Sequence, residues 1–182
     1  MVYTFLFLIS YPAFSEKQTS SGFVLKQNQT KLPSGVPARV GVAIFSGKEP
    51  LNQHATDQFS AGLLELGFDV IERNHFQSIL DEQNISNTAL FSDKTRSELG
   101  KQLGLEAIFV GSVTDEKKLL KVTTHVNVKL VNINTGRVLW AATAKDPRIL
   151  GKRLTDLGTS ISHTVNEALK MLENDLEKLR NT

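Results

Sequence analysis

The chain of 182 residues contains no cysteine. It therefore has no disulfide bond, no zinc or iron–sulfur site with cysteine ligands, and no thiol nucleophile. A bacterial lipoprotein carries its lipid on a cysteine at the mature N-terminus, so we also expect no anchor of that kind. These absences predict a mature protein that is soluble unless a partner holds it.

Charge of one sign and long apolar runs are also scarce. The chain has 21 Lys and Arg residues against 19 Asp and Glu residues, and the basic residues are scattered. This balance argues against a nucleic-acid groove or a polybasic membrane patch. Residues 2–9 form an apolar run, but a membrane-spanning helix needs about 20 apolar residues. We expect no nucleic-acid partner and no direct membrane span.

The N-terminal residues 1–15 carry no charge. The apolar run is followed by Pro12 and by the small residues Ala13 and Ser15, which is the pattern of a signal peptide with its cleavage site. No Lys or Arg precedes the run, which departs from that pattern. We predict a signal peptide over residues 1–15, and the alternative is a hydrophobic first strand or helix.

The rest of the chain divides into a leader and one domain. Residues 16–38 are rich in Ser, Thr, Gln, Asn and Lys and predict a flexible leader. Residues 39–182 predict a single α/β domain, a length that supports one hydrophobic core.

The hydrophobic pattern of residues 39–111 alternates between strand and helix. Residues 39–45 are almost continuously apolar, which is typical of a strand covered on both faces. A helix is predicted from about Leu51 to Gly67, since glycine commonly follows the last helical residue. Its predicted apolar face consists of Phe59, Leu63, Leu64 and Leu66. Further predicted elements are a strand over 68–71, a helix over 75–83 capped by Asn74, a helix over 95–103 capped by Ser92 or Asp93, and a strand over 107–110 closed by Gly111.

The C-terminal half indicates antiparallel strands and one long helix. Residues 115–118 predict a polar turn, and residues 119–133 and 137–143 predict strands joined by a turn at 134–136. Leucines three or four apart over residues 150–179 predict a long helix, whose last turns either pack on the core or contact a partner. The predicted fold is a three-layer α/β domain with a mixed sheet flanked by helices, and an antiparallel hairpin followed by a long C-terminal helix.

No arrangement of residues predicts catalysis. Ser46, Gly47 and Lys48 follow a strand, but a phosphate-binding loop needs glycine at Val42 and Ser or Thr at Glu49. We interpret the segment as a structural turn.

Other candidate residues also have simpler interpretations. The histidines lie far apart in sequence and are His54, His75, His125 and His163. Asp81 and Glu82 point about 100° apart on a helix, so they do not face one centre. Trp140 is expected to fill the core with its N–H bonded outward rather than to serve as an exposed recognition residue. We predict no catalytic, cofactor-binding or metal-binding residue and no enzyme activity.

Five segments taken in order resemble the CsgG family, the curli secretion component and its relatives in bacterial envelopes. They are residues 39–45 (RVGVAIF), 67–73 (GFDVIER), 79–83 (ILDEQ), 103–113 (LGLEAIFVGSV) and 126–140 (VNVKLVNINTGRVLW). The resemblance covers about residues 39–172. It implies a non-enzymatic periplasmic α/β domain, and the same core is similar to LpoB, an activator of peptidoglycan synthases, and to the N-terminal domain of TolB.

The chain departs from the family's channel-forming member. That protein carries two long insertions that form transmembrane hairpins, and the matching gaps here are residues 114–120 and 144–149. A membrane hairpin needs about 20 residues, so we expect the soluble core of the family without its channel.

The function implied by the resemblance is non-catalytic action through protein contacts in envelope assembly or secretion. The expected location is the periplasm, in association with the outer membrane through partners, and the expected partners are envelope proteins or further copies of the chain. The alternatives are a regulator of peptidoglycan synthase and a small-ligand or nucleotide-binding enzyme. A pocket lined by several perturbed titratable groups favours the enzyme, and an open sheet face with an exposed apolar patch favours the binding module.

Overall fold

The computed structural model describes residues 31–71, 73–82, 93–118, 121–149 and 157–182. The predicted signal peptide, residues 16–30 of the predicted leader and residues 150–156 of the predicted C-terminal helix lie outside the described residues.

Five strands form one mixed sheet in the order β2-β1-β3-β4-β5. Strand β1 is parallel to β2 and β3, whereas β4 is antiparallel to both β3 and β5. The strands are β1 (Arg39–Val42), β2 (Asp69–Val70), β3 (Ala107–Lys118), β4 (Lys121–Asn132) and β5 (Val138–Ile149), and the helices are α1 (Leu51–Glu65), α2 (Arg73–Glu82), α3 (Asp93–Leu103) and α4 (Leu157–Arg180). The predicted mixed sheet, antiparallel hairpin and long C-terminal helix are confirmed.

The larger core lies between the sheet and helices α1 and α4. Phe45, Phe59, Phe68 and Phe109 are fully buried there, and Trp140 packs at their edge. The ring centroids of Phe59 and Phe109 lie 5.3 Å apart, and those of Phe109 and Trp140 lie 6.4 Å apart, both edge to face. Such aromatic pairs contribute about 0.5–1.5 kcal/mol each beyond the area they bury.

A smaller core lies on the other face of the sheet, under α2 and α3. It consists of Ala43, Phe76, Ile79, Leu105, Ile108 and Ile133. Because Ala43 follows β1, Ile108 lies at the start of β3 and Ile133 follows β4, this core covers only one end of the sheet. The predicted strand of residues 39–45 is thus covered on both faces as expected, with Val40 in the larger core and Ala43 in the smaller.

Hydrogen bonds hold the segment after β1 against β3 at Gly111. At this position the surrounding atoms leave no room for a side chain on residue 111. The backbone N–H of Ser46 donates to the carbonyl of Gly111 at 2.9 Å, and that of Val113 donates to the carbonyl of Ser46 at 2.8 Å. A Cβ at Gly111 would lie 2.8 Å from both the Asn127 carbonyl oxygen and the Phe45 ring. The glycine is therefore required by close packing, and β3 continues through it instead of ending there as predicted.

The structure corrects several predicted boundaries. Residues 115–118 belong to β3, because Asp115 and Glu116 pair with β4 opposite Thr124 and Thr123. Residues 144–149 belong to β5 and pair with β4 as well. The sequence did not predict these two strand extensions, because their side chains are mostly polar. A strand with one solvated face needs few apolar residues. The two gaps that were compared with the channel hairpins, residues 114–120 and 144–149, therefore consist largely of strand and were wrongly taken as loops.

Helix termini follow the predictions in part. Helix α1 begins at Leu51, and Gly67 has φ +96° just beyond its end, as predicted. Helix α2 begins at Arg73, so Asn74 lies inside the helix and the predicted cap is wrong. Leu64 is also wrong as a core residue, because it is 42% exposed on the outer side of α1.

Helix α4 packs on the core along most of its length. Ile161, Val165, Leu172 and Leu176 are buried, whereas Leu179 in the last turn is 56% exposed. The core interpretation of the leucine stripe therefore holds as far as Leu176.

Polar contacts fix α4 at both ends. The Ser160 hydroxyl lies 3.0 Å from Thr124 Oγ1 and from Asp146 Oδ2. The Trp140 indole N–H donates to Asp175 Oδ2 at 3.2 Å, so the expected outward hydrogen bond of this tryptophan is confirmed. Asp175 also accepts from Lys178 at 2.8 Å. The hydrogen bonds from Lys178 and Trp140 lower the pKa of Asp175.

We expect Gly111→Ala to lower the free energy of unfolding by about 1–3 kcal/mol, because the new methyl group meets a backbone carbonyl and a buried ring. Gly158→Ala is the matched control. Nothing lies near the Cβ position of Gly158 in the first turn of α4, so that change should stabilise by about 0.5–1 kcal/mol. Urea unfolding measures both, and equal effects would contradict the packing argument.

We expect Asp175→Asn to be less stable than wild type at neutral pH by no more than about 1 kcal/mol, since Asp175 is 46% exposed and water screens the pair. The pKa of Asp175 is lowered in the folded protein, so its contribution is present above the ordinary value of 3.8 and is lost as pH falls through the folded value. The difference between the two proteins should therefore vanish in strong acid. Trp140 is the single tryptophan, so its fluorescence can follow unfolding at each pH, and a difference that persists in acid would argue against the carboxylate.

Candidate binding surface

Among the described residues, nothing covers one side of strands β3, β4 and β5 beyond the smaller core. Along β4, Thr124, Val126 and Val128 are buried under α4, while the alternating residues are half-buried or exposed. We call this surface the open face. It is formed by Val110, Ser112 and Thr114 of β3, His125, Asn127 and Lys129 of β4, and Ala141, Thr143 and Lys145 of β5.

A groove of about 610 Å³ lies on the open face. The segment after β1 forms one wall with Ala43, Ile44 and Ser46. On the β5 side the groove is lined by the small side chain of Ala141. The volume falls within the range of ligand-binding clefts, about 300–1,000 Å³. The groove is partly open to solvent, which suits an extended occupant better than an enclosed small molecule.

A polar ladder crosses the floor of the groove. The Thr143 hydroxyl donates to Asn127 Oδ1 at 2.8 Å, and the Asn127 amide donates to Ser112 Oγ at 3.2 Å. Cross-strand side-chain pairs of this kind stabilise a sheet and fix its register. The ladder also has a direction, because each bond runs from β5 toward β3. Among the described residues, the Ser112 hydroxyl proton and the second amide proton of Asn127 have no acceptor.

The charge on the groove is positive. Lys129 is the charged side chain among its described lining residues. Lys145 lies further along β5 on the same face, opposite His125, and the exposed Glu116 lies on this face as well, two residues beyond Thr114 on β3. Both lysines are exposed, and no carboxylate of the described residues forms an ion pair with either.

An apolar patch adjoins the groove at the start of β5. Val138 and Leu139 are 55% and 46% exposed. They lie at a β-bulge, where the register with β4 shifts between Leu130 and Val131. Strand β5 ends the described sheet, so its outer backbone edge is not paired with another described strand. Exposed apolar side chains beside an edge strand are typical of contact surfaces.

The residues considered for chemistry from the sequence lie apart from one another. Ser46 is bonded to β3, and Lys48 lies 3.8 Å from Asp115, which confirms the interpretation as a turn. His54 Nε2 lies 3.1 Å from Ser162 Oγ between α1 and α4. Asp81 accepts from Gln77 at 2.7 Å on the surface of α2.

Two further histidines also lie apart, and no metal site is formed in the described ranges. His125 is on the open face, His163 is exposed on α4, and the side chain of His75 lies outside the described residues. Within the described part of the chain, no three His, Cys, Asp or Glu side chains come together as metal ligands.

Resolved pKa shifts fall on α4, on the side of the sheet away from the groove. The hydrogen bond from Lys170 lowers the pKa of Glu167 and raises that of Lys170, over a distance of 2.9 Å. Together with Asp175, these groups belong to ion pairs within the helix. None of the three lines the groove.

Comparison with known proteins identifies the family. The model of the curli production assembly/transport component CsgG matches residues 28–118, which is half of the chain. The chain belongs to the CsgG family. The membership supports an envelope-associated function and confirms the resemblance drawn from the sequence. No curated protein matches the sequence significantly.

Solved structures share the fold at low sequence identity. Lipoprotein GNA1162 from Neisseria meningitidis is 19% identical with a TM-score of 0.54, over 76% of this chain and 99% of that one. The PelC dodecamer from Paraburkholderia phytofirmans is 16% identical with a TM-score of 0.51, over 80% of this chain and 95% of that one. The LpoB C-terminal domain from Salmonella enterica is 16% identical with a TM-score of 0.47, over 63% of this chain and 87% of that one.

No helix in the described ranges has both the length and the apolar character needed to cross a bilayer.

Sequence reasoning did not find the open face. Its members are ordinary polar and small residues, and their meeting depends on the register of three strands. The available signal was the alternation along residues 124–130, in which buried Thr and Val or Leu residues alternate with His125, Asn127 and Lys129.

We expect Asn127→Ala to lower the free energy of unfolding by about 1 kcal/mol, because it removes the two hydrogen bonds that join β3 and β5 to β4. Lys129→Ala, two residues away on the same face, should change it by less than about 0.5 kcal/mol. Urea unfolding measures both variants. An Asn127 variant as stable as the Lys129 variant would show that the ladder adds nothing to stability.

Proposed function

We propose that this CsgG-family protein is a non-catalytic binding module of the periplasm. It acts through protein contacts in envelope assembly or secretion, and the open face is the surface that makes those contacts. The observation that carries the proposal is the open face itself, with its shallow groove, polar ladder and adjoining apolar patch.

The composition of the groove favours a binding module over an enzyme. An active site commonly brings together several titratable groups with shifted pKa values. Here the described lining residues include one titratable side chain, Lys129. The groups with shifted pKa values, Glu167, Lys170 and Asp175, lie on α4 instead. Exposed Val138 and Leu139 supply the apolar area that protein contacts use.

The comparisons support an envelope location and self-association as parts of the proposal. The family is that of a curli assembly and transport component, and one protein of the same fold is a lipoprotein. Another, PelC, is a dodecamer. We extend the proposal to a homo-oligomer, in which the open face contacts either the next copy or an envelope protein.

Photo-crosslinking in cells tests the proposal. The photoreactive residue p-benzoylphenylalanine replaces Ala141, which is exposed on the floor of the groove, in one strain. In a control strain it replaces Glu173, which is exposed on α4. We expect position 141 to give discrete adducts, identified by mass spectrometry as envelope assembly or secretion components or as the chain itself, and position 173 to give few or none.

Each outcome of the photo-crosslinking has a defined meaning. Capture of a peptidoglycan synthase at position 141 would replace the assembly role with the regulator role. Equal adducts from both positions, or none from position 141 in a folded protein at native abundance, would overturn the open face as the contact surface. Capture of cytoplasmic proteins alone would overturn the envelope location.

A further inference from the structure

The two lysines of the open face are separated by a distance that an extended chain can match. Lys145 lies opposite His125, which precedes Lys129 on β4 by four residues. Four residues of a strand span about 14 Å, and residues two apart point to the same side. Lys129 and Lys145 are thus two exposed cations about 14 Å apart along the strand direction, with the polar ladder between them.

The ladder provides hydrogen-bond donors in the same interval. The Ser112 hydroxyl accepts from Asn127, so its own proton remains available, and Asn127 retains a second amide proton. The Thr143 proton is already used by Asn127 Oδ1. The open face therefore offers donors between two positive charges, Lys129 in the lining of the groove and Lys145 beyond its end. An occupant that fits must supply acceptors flanked by negative charges.

Resting on the proposed function, we infer that the groove binds an extended acidic segment of a partner protein. The segment lies along β4 with carboxylate side chains at positions i and i+4. One carboxylate pairs with Lys129 and the other with Lys145, and a side-chain acceptor at i+2 meets the free protons of Ser112 and Asn127. In an extended chain these three side chains lie on one side, at the spacing that the groove requires.

Charge complementarity favours a protein strand over other occupants. The groove is partly open to solvent, and the segment after β1 limits its width on one side. A helix would present carboxylates at i and i+4 only about 6 Å apart, which does not reach both lysines. Two lysines are also few for a polyanionic chain, which is bound by runs of basic residues.

Peptide display on the full-length protein tests the inference. Random peptides of about nine residues are selected against the wild type, against Lys129→Glu/Lys145→Glu and against the control Arg180→Glu. Arg180 is exposed at the end of α4, on the other side of the sheet. We expect the wild type and the control to enrich Asp or Glu pairs four positions apart. The double variant should lose this enrichment.

Affinities of the selected peptides give the magnitude. We expect binding to weaken about tenfold in the double variant at low salt and by less than about twofold in the control. Added salt should reduce the affinity of the wild type, because exposed ion pairs are screened. A second variant, Lys129→Ala/Lys145→Ala, should give an intermediate loss, and thermal unfolding verifies that each variant is folded.

Several results would overturn the inference. Selected peptides without acidic residues would contradict binding of an acidic segment. Acidic peptides with no preferred spacing would contradict its extended conformation. An equal loss in the Arg180→Glu control would indicate a general effect of net charge. Tighter binding of heparin than of any peptide would assign the face to an anionic glycan. Dissociation of an oligomer by the double variant, seen by light scattering, would assign it to a second copy of the chain.

The peptide display and the photo-crosslinking test the acidic segment and the proposed function separately. If position 141 still captures an envelope protein in cells while display shows no acidic preference, the binding module stands and the acidic strand fails. If display selects the predicted peptides but position 141 captures nothing, the groove chemistry stands and the proposed cellular role fails.

Discussion

The close approach of the segment after β1 to β3 at Gly111 is the constraint on which the rest of the sheet depends. The Phe45 ring and the Asn127 carbonyl both occupy the space that a Cβ at Gly111 would need. Because residue 111 has no side chain, the N–H and the carbonyl of Ser46 can both bond to β3, and Phe45 reaches Phe59 in the larger core with their ring centroids 5.6 Å apart. The Phe45 backbone N–H is in turn satisfied by the Thr56 hydroxyl of α1 at 2.9 Å. One missing side chain thus links the parallel and antiparallel halves of the sheet.

The same arrangement explains why the described helices leave one side of the sheet uncovered. Strands β3, β4 and β5 have 12 residues each, whereas β1 has four and β2 has two. The smaller core under α2 and α3 gathers at the β1 end, so the remainder of the longer strands is covered on the α4 side alone. Solvated strand faces must carry polar residues, and here these residues form a ladder and a pair of cations rather than a random mixture. Membership in the CsgG family supports an envelope-associated function for the protein that carries this surface.

Local sequence patterns predicted most of the elements and few of their limits. The apolar run at residues 39–45 was sufficient to predict a strand, because burial on both faces admits few residue types. The glycine after α1 was sufficient to predict the end of that helix, because few residues other than glycine adopt the φ of +96° found at Gly67. The lengths of β3 and β5 were not predictable in this way. Their last residues, including Asp115 and Lys145, are polar and are held in strands by pairing with β4, a contact between distant parts of the chain.

The sequence by itself determined the chemistry that is available. It has no cysteine, it has nearly balanced charges, and it has helical and strand periodicities that specify an α/β domain. Tertiary structure decided which side chains meet. Ser112, Asn127 and Thr143 lie 15 and 16 residues apart in the chain and form one ladder, and Lys145 stands beside His125 because of strand register. Register arises from the packing of a whole face against a core, and a shift of one residue would exchange the two faces. For this reason the open face could be found only in the folded protein.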